Sequence, residues 1–442
     1  MATTAVTGAK NLGSTGVLYT DRRDFYIRPN VVKELWTDVT PFLTVVANQG
    51  TITGMADPTF KMFEHRNPWQ KQQFQMNSNP DAVASGAESA ASAIEEGTES
   101  GIQLGQNIVG MVCDVFADSS GPSGASKGQV LITEYAVVSG DDNDTIKYKN
   151  LTSTSINLAD TDWLVIVGNA QGEGTNSPTA WSDDLSVVYN STQIFKTPLE
   201  ITGTLLEASL RGESKELARL RDQKSAEHKI QKERAFLFGA NPQGIKGGTF
   251  GTGHESILDA GDKVVRTTMG IIPALEKHGV SDNTKYNQNV FASGDIDSYS
   301  EFVDAMEKVF QYVPTVGMKR AFVGAGALGY WSKMANGSGF ASNSGWTVNI
   351  GDMKRDALGF NYRTLETPHG VLQMIPTPAL RGYYNKHMVI VDSENLFHAQ
   401  YRAPKFEASI QANDADLVKD QYFSDEGIGI SMIESHSMMV TP

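Results

Sequence analysis

Ser214-Lys215-Glu216-Leu217-Ala218-Arg219-Leu220-Arg221-Asp222-Gln223-Lys224-Ser225-Ala226-Glu227-His228-Lys229-Ile230-Gln231-Lys232-Glu233-Arg234-Ala235-Phe236-Leu237-Phe238, closed by Gly239, reads as the one long helix of the chain. At about 37 Å it is too long, and with eleven charged side chains too polar, to sit inside a small core. Up to Arg234 its large apolar side chains are Leu217, Leu220 and Ile230, and Phe236-Leu237-Phe238 gives it an apolar end. Two readings stand side by side. One is a solvated face laced by pairs such as Lys224–Glu227 and Lys229–Glu233; the other is a contact between subunits.

Upstream of this helix the chain is rich in strand signals. Residues 1–30 are polar, rich in Gly and Thr, and carry the charged knot Asp21-Arg22-Arg23-Asp24; they read as an extended arm that becomes ordered by lying on something else. Asn30 caps a short helix from Val31 to Asp38, and Thr40-Pro41 opens a second whose Phe42, Leu43, Val45 and Val46 are to be buried. Residues 57–75 read as an extended strand, 82–101 as a low-complexity loop of Ala, Ser, Gly and Glu, and 108–195 as a β-rich segment. Val130-Leu131-Ile132, Tyr135–Val138, Thr145–Tyr148 and Trp163–Val167 are its clearest strands.

Downstream, a glycine-rich link (Gly244–Gly253) leads into an α/β region. Ser298 caps a helix from Tyr299 to Tyr312 whose Phe302, Met306, Val309 and Phe310 share a face. Lys319–Val323 is a strand, Ala327–Ala335 a short helix, and the rest up to Val391 reads as antiparallel strands. Alternation from Ile428 to Val440 predicts one long, half-buried strand.

Composition narrows the function. With 37 Lys and Arg against 51 Asp and Glu the net charge is −14, the wrong sign for a coat that neutralises phosphates. A hydrophobic content of 40% excludes disorder of the whole chain. The single Cys113 excludes an intrachain disulfide, as suits a reducing cytoplasm. The first residues carry no basic stretch followed by an apolar one, so no export signal is expected, and no apolar run approaches the length of a membrane span.

Catalytic motifs fail on context. Gly324-Ala325-Gly326-Ala327-Leu328-Gly329 matches a dinucleotide-binding turn and follows a strand, but no βαβ unit frames it and no acidic strand end follows. Gly247–Gly253 lacks the Lys-Ser/Thr ending of a phosphate loop. Asp141-Asp142-Asn143-Asp144 lacks the glycine and distal glutamate of a calcium loop. Gly124–Gly128 matches a hydrolase elbow but is preceded by a loop and followed by a strand. The eight histidines show no metal-ligand spacing. The sequence therefore predicts no enzyme, no cofactor and no metal.

The order of parts resembles the major capsid protein of tailed bacteriophages, an α+β protein of the Hong Kong 97 fold. Thr40-Pro41-Phe42, Ala170-Gln171-Gly172-Glu173-Gly174, Asn190-Ser191-Thr192-Gln193-Ile194-Phe195, Ile201-Thr202-Gly203-Thr204, Arg266–Ile271 and Thr367–Leu372 are similar to segments of phage major head proteins that use a separate scaffold. The resemblance implies an N-terminal arm (1–30), the start of a P-domain (31–56), an E-loop region (57–200) with a β-rich insertion at about 105–195, a P-domain (201–260) with the spine helix 214–238, an A-domain (261–386) and closing P-domain strands (387–442). It implies assembly as hexamers and pentamers into an icosahedral head enclosing double-stranded DNA, put together in the host cytoplasm. Its expected partners are a separate scaffolding protein, a portal protein, decoration proteins and DNA bound without sequence preference; no membrane is expected. The subunit contacts it implies are Arg219, Lys224 and Glu227 of the helix and Lys61, Glu64 and Arg66 of the E-loop. Cross-linking through Lys61 or Lys71 is not expected, since nothing marks a partner for them. The alternatives are a cellular encapsulating shell of the same fold and an oxidoreductase built on the Gly324–Gly329 turn.

Overall fold

A computed structural model of the protein describes residues 40–65, 73–95, 108–117, 125–137, 144–174, 185–207, 216–241, 258–281, 287–312, 317–335, 354–355, 358 and 361–442. The expected arm and the helix from Val31 to Asp38 lie outside them, as do Arg66, Lys71, the Asp141–Asn143 turn and the Gly247–Gly253 link. The chain divides into two compact units, one containing Lys196–Lys229 and Pro404–Phe423 and the other Val39–Phe195, Ile230–Ala403 and Ser424–Pro442.

In chain order, Pro41 at the first helical position starts α1 (Pro41–Gln49), which buries Phe42, Leu43, Val45 and Val46. Strands β1 (Thr51–Thr53) and β2 (Thr59–Glu64) follow. Then come β3 (Gln73–Met76), β4 (Ser92–Glu95), β5 (Met111–Phe116), β6 (Ser126–Ala136), β7 (Thr145–Asn150) and β8 (Trp163–Asn169). Next are β9 (Ser186–Ser191), β10 (Gln193–Thr202), α2 (Gly203–Glu207) and the long α3 (Glu216–Phe238). The α/β part runs through α4 (Ile271–His278), β11 (Val290–Phe291), α5 (Tyr299–Val309), β12 (Met318–Val323), α6 (Ala325–Ala335), β13 (Lys354–Arg355), β14 (Asn361–Glu366) and β15 (Val371–Pro376). It closes with β16 (His387–Val391), β17 (Leu396–Glu407), β18 (Leu417–Ile430) and β19 (Ser437–Val440).

Strands β3 to β8 form a closed barrel in the order β3-β4-β7-β6-β5-β8. Alternation along β5 buries Met111, Cys113 and Val115, and Cys113 and Val115 meet Phe74, Ile94, Val130, Ile132, Tyr148 and Leu164 in the barrel core. The buried Tyr135 hydroxyl donates to the Asp144 carboxylate, and burial pushes the Cys113 thiol up to about 12. The chain enters and leaves on neighbouring strands, Gln73 opposite Val165. The barrel begins at Gln73, ends at Asn169 and leaves out β9 and β10, so its bounds differ from those of the β-rich segment read at about 105–195. Part of the expected low-complexity loop is the barrel strand β4, and Val83 and Glu88 bridge to Ile156 and Lys149. Small Ala and Ser side chains carry almost no period-2 signal, which hid that strand.

The second large layer is a seven-stranded sheet, β11-β19-β16-β12-β15-β14-β13. One face packs on α5 and α6 through Phe302, Met306, Phe310 and Trp331. The other packs on α1, α4 and the apolar end of α3 through Phe42, Ile272, Phe236 and Leu237, with Phe42 edge-on to Phe322 at 4.9 Å. Ser298 and Glu301 form a capping box at the start of α5. The strands read as antiparallel pair so, β13 with β14 and β14 with β15, while β15 also pairs with β12 in parallel. One expectation is corrected here. The single strand read over Ile428–Val440 is broken at Met432, whose φ of 46° is left-handed. Its amide donates to the buried Glu64 carboxylate at 2.6 Å, and β19 thereby joins the seven-stranded sheet while β18 stays in a four-stranded one, β1-β17-β18-β10.

The barrel core draws all its residues from between Phe74 and Leu164 and shares none with the other two cores. A fragment of residues 73–169 is therefore expected to fold alone, with cooperative thermal unfolding followed by circular dichroism. A fragment that melts without a transition would contradict this.

Candidate assembly surface

Helix α3 explains its polarity by what its charges meet. Arg221, His228 and Lys232 recur at i, i+7 and i+11 and so share one helix face; on β18, Asp420, Tyr422 and Glu426 share one strand face by the two-residue period. In the first unit, Arg221 donates to Oδ2 of the fully buried Asp420 through Nε at 2.9 Å and Nη2 at 2.7 Å. The Ser409 amide takes the other oxygen at 2.8 Å. His228 Nδ1 lies 2.9 Å from Thr197 Oγ1, its ring 6.2 Å from that of Tyr422, and the Arg221 guanidinium stands 5.2 Å over Phe406.

In the second unit, Lys232 forms an ion pair with Glu426 Oε2 at 3.1 Å, and His398 Nε2 lies 3.3 Å from the same oxygen. Burial alone would raise the Glu426 carboxyl; the His398 ring and the Lys232 ammonium outweigh it and hold the group below the usual carboxylate range. Glu233 accepts the Leu43 amide at 3.4 Å at the start of α1. Burial pushes its carboxyl up to about 8, the Leu43 and Phe42 amides offsetting only part of that.

Two of the residues read as subunit contacts on this helix form a surface pair, Lys224 with Glu227 at 2.7 Å, and Arg219 pairs with Glu216. Such pairs are worth about 0–1 kcal/mol each. The structure adds Asp420, Glu426 and Glu233, which sequence reading passed over because their partners stand far away along the chain.

Strands β2 and β9 make a two-stranded antiparallel ribbon with Lys61 opposite Tyr189 and Phe63 opposite Val187. Directly opposed side chains share a face. Met62 and Val188 turn to the core; Glu64 is buried with them and accepts the Met432 amide within its own chain. The opposite face carries exposed Lys61, Phe63 at 74% and Val187 at 42% exposure, with Leu185 beside them at 58%. The alternation in Thr59–Glu64 was the available signal for this outward apolar pair.

The glycine-rich turn at the start of α6 is already occupied by the chain itself. The Gly326 amide donates to Asn385 Oδ1 at 2.9 Å and the Gly324 amide to the His387 carbonyl at 3.0 Å. A Cβ at Gly324 would run into the Asn385 carbonyl, so glycine serves close packing of backbone on backbone. The amides a pyrophosphate would need are taken, and β12 lies between parallel β15 and antiparallel β16 rather than in a βαβ series. Among the described residues, no three His, Cys, Asp or Glu side chains are placed to hold a metal, and no helix is long and apolar enough to cross a membrane.

Arg221→Ala leaves the buried Asp420 charge with its Ser409 amide alone and is expected to cost about 1–3 kcal/mol, read as a lowered thermal midpoint; an unchanged midpoint would contradict the pairing. Glu233 holds its proton more tightly folded than unfolded, so its stabilising share is complete below about pH 4.5 and is lost as pH rises towards about 8. Glu233→Gln should flatten that part of the stability profile, measured by thermal melts across pH; an identical slope in the variant would refute the assignment.

Solved structures give remote likenesses. The capsid of a native GTA particle matches with 11% identity over 98% of this chain and 99% of that one, at a TM-score of 0.46. The structure from Mycobacterium phage Ogopogo matches at 10% identity over 62% and 83%, TM-score 0.37. The holo-SrpI encapsulin complex from Synechococcus elongatus PCC 7942 matches at 8% over 59% and 76%, TM-score 0.33. No curated protein matches the sequence. The model of the SU10 major capsid protein family matches residues 19–438, nearly the whole chain. The chain belongs to that family, and its role is structural, as a major capsid protein of a tailed-phage head.

Proposed function

We propose that copies of this chain close into an icosahedral head of hexamers and pentamers around double-stranded DNA, using the Hong Kong 97 arrangement of parts. In this reading α3 is the spine helix, the β2–β9 ribbon is the stem of the E-loop, the barrel is a protrusion inserted in it, and the seven-stranded sheet belongs mainly to the A-domain. The protein works without catalysis. A separate scaffold guides assembly in the host cytoplasm, a portal takes one vertex, decoration proteins bind outside, and the net charge of −14 lets DNA move along the inner wall without sticking.

The observation that carries the reading is the outward face of the ribbon. An aromatic and two aliphatic side chains, Phe63, Val187 and Leu185, stand in solvent on a thin two-stranded element. A lone subunit gains nothing from that exposure, whereas a shell covers it with a neighbour. The charges of α3 facing β18 are already paired at home, so the ribbon is the better contact than the helix face that carries Arg221 and Lys232. Arg219, Lys224, Glu227 and Lys61 stay as candidate rim contacts around it.

Phe63→Asp is expected to leave the subunit folded while abolishing shells and capsomers in negative-stain electron microscopy and sedimentation, with the candidate scaffold present. Shells as abundant as those of the unaltered protein would remove the ribbon from the interface. An unaltered protein that stays a monomer under every condition would overturn the reading as a whole.

A further inference from the structure

Arg381-Gly382-Tyr383-Tyr384-Asn385-Lys386 forms a knob between β15 and β16. Gly382 has a φ of +65°, a left-handed turn that a side chain would strain, and Tyr383 beyond it is 87% exposed. The knob is braced from behind. The Tyr383 ring meets Tyr384 edge-on at 5.3 Å and lies 6.1 Å from His387, and Tyr384 lies 4.5 Å from Phe238. Asn385 is fixed by the Gly326 amide at 2.9 Å. Exposed Arg381 and Lys386 give the knob its charge. Thr377 to Val391 contains no acidic residue, and among the described residues neither cation makes an ion pair.

The same unit carries a face of opposite sign. Helix α5 turns Phe302, Met306 and Val309 to the core and leaves Glu301, Asp304 and Glu307 exposed, with Asp297 exposed just before it. Glu301 accepts the Asp297 and Ser298 amides at 2.8 and 2.9 Å, which hold its carboxyl below the usual range. The helix's own cation, Lys308, donates to Gln288 Oε1 at 3.0 Å.

Copies of a chain with net charge −14 repel at a distance, so close association calls for local patches of opposite sign. A ring of identical subunits joins each copy to the next through two different surfaces. We propose that the Arg381–Tyr383–Lys386 knob of one copy docks on the Asp297–Glu301–Asp304–Glu307 face of α5 in a second copy, as a head-to-tail contact within a ring. This rests on the shell-forming reading and names two surfaces that meet in it. A tyrosine flanked by an arginine has the composition of an interface hot spot, and a knob held in shape beforehand loses little freedom on docking.

The test uses the full chain with its scaffold, read by sedimentation and negative-stain microscopy, with thermal melts to confirm folding. The charge reversals Arg381→Glu with Lys386→Glu, and separately Asp304→Lys with Glu307→Lys, should each lower the ring-assembled fraction by about tenfold or more. Tyr383→Ser, which leaves charge unchanged, should weaken rings as well. All four reversals in one chain should restore rings, because the patches then match with their signs exchanged. Rings undiminished in either reversed pair, or no recovery in the fourfold variant, would overturn the contact while leaving the shell reading in place. An unaltered chain that never forms rings would overturn the shell reading, and the contact with it.

Discussion

Buried carboxylates on β18 and the cations that answer them from α3 are the constraint on which the rest of the structure depends. Asp420 and Glu426 are both fully buried and ionised groups cannot stay so without partners. Arg221 answers the first, Lys232 and His398 the second. Within each unit the pair sets which face of its part of the helix turns to its part of β18. In the second unit the Phe236-Leu237-Phe238 end of the helix packs in the core beside Phe42 and Ile272. Glu233 then meets the first amides of α1.

That constraint also divides the surface into parts that are satisfied at home and parts that are not. The charged helix face is of the first kind. The ribbon face with Phe63 and the knob with Tyr383 are of the second, one apolar and one aromatic with positive flanks. A subunit that keeps its ions paired internally and its apolar groups outward suits reversible assembly. Its neighbours contribute burial and long-range steering, and neither requires a buried charge to change partners.

Much of this was legible in the sequence, and the gaps have physical causes. The long helix, the Pro41 start of α1 and the Ser298 cap all announce themselves through local chemistry, and each stands in the structure within a residue or two of its expected place. The β-rich segment was visible through its Val, Ile and Tyr alternation, but the barrel strand β4 before it was not, since it offers only Ile94 as a large apolar residue. The parallel pairing of β12 with β15 is a long-range choice that strand patterns do not encode. The break at Met432 depends on Glu64, 368 positions away. Of the candidate contacts, Lys61 lies on the outward ribbon face and Glu64 on the buried one, since burial by distant strands, not local spacing, decides which side of a ribbon is core. The Arg221–Asp420 pair, 199 positions apart, was invisible for the same reason.

The most direct test is a cryo-electron microscopy reconstruction of assembled particles at side-chain resolution. The account predicts that Phe63 and Val187 are covered by a neighbouring copy, while Arg221 and Lys232 keep their partners Asp420 and Glu426 within their own chain. A ribbon face open to solvent in the finished shell, or α3 cations paired with a neighbour's carboxylates instead, would contradict it.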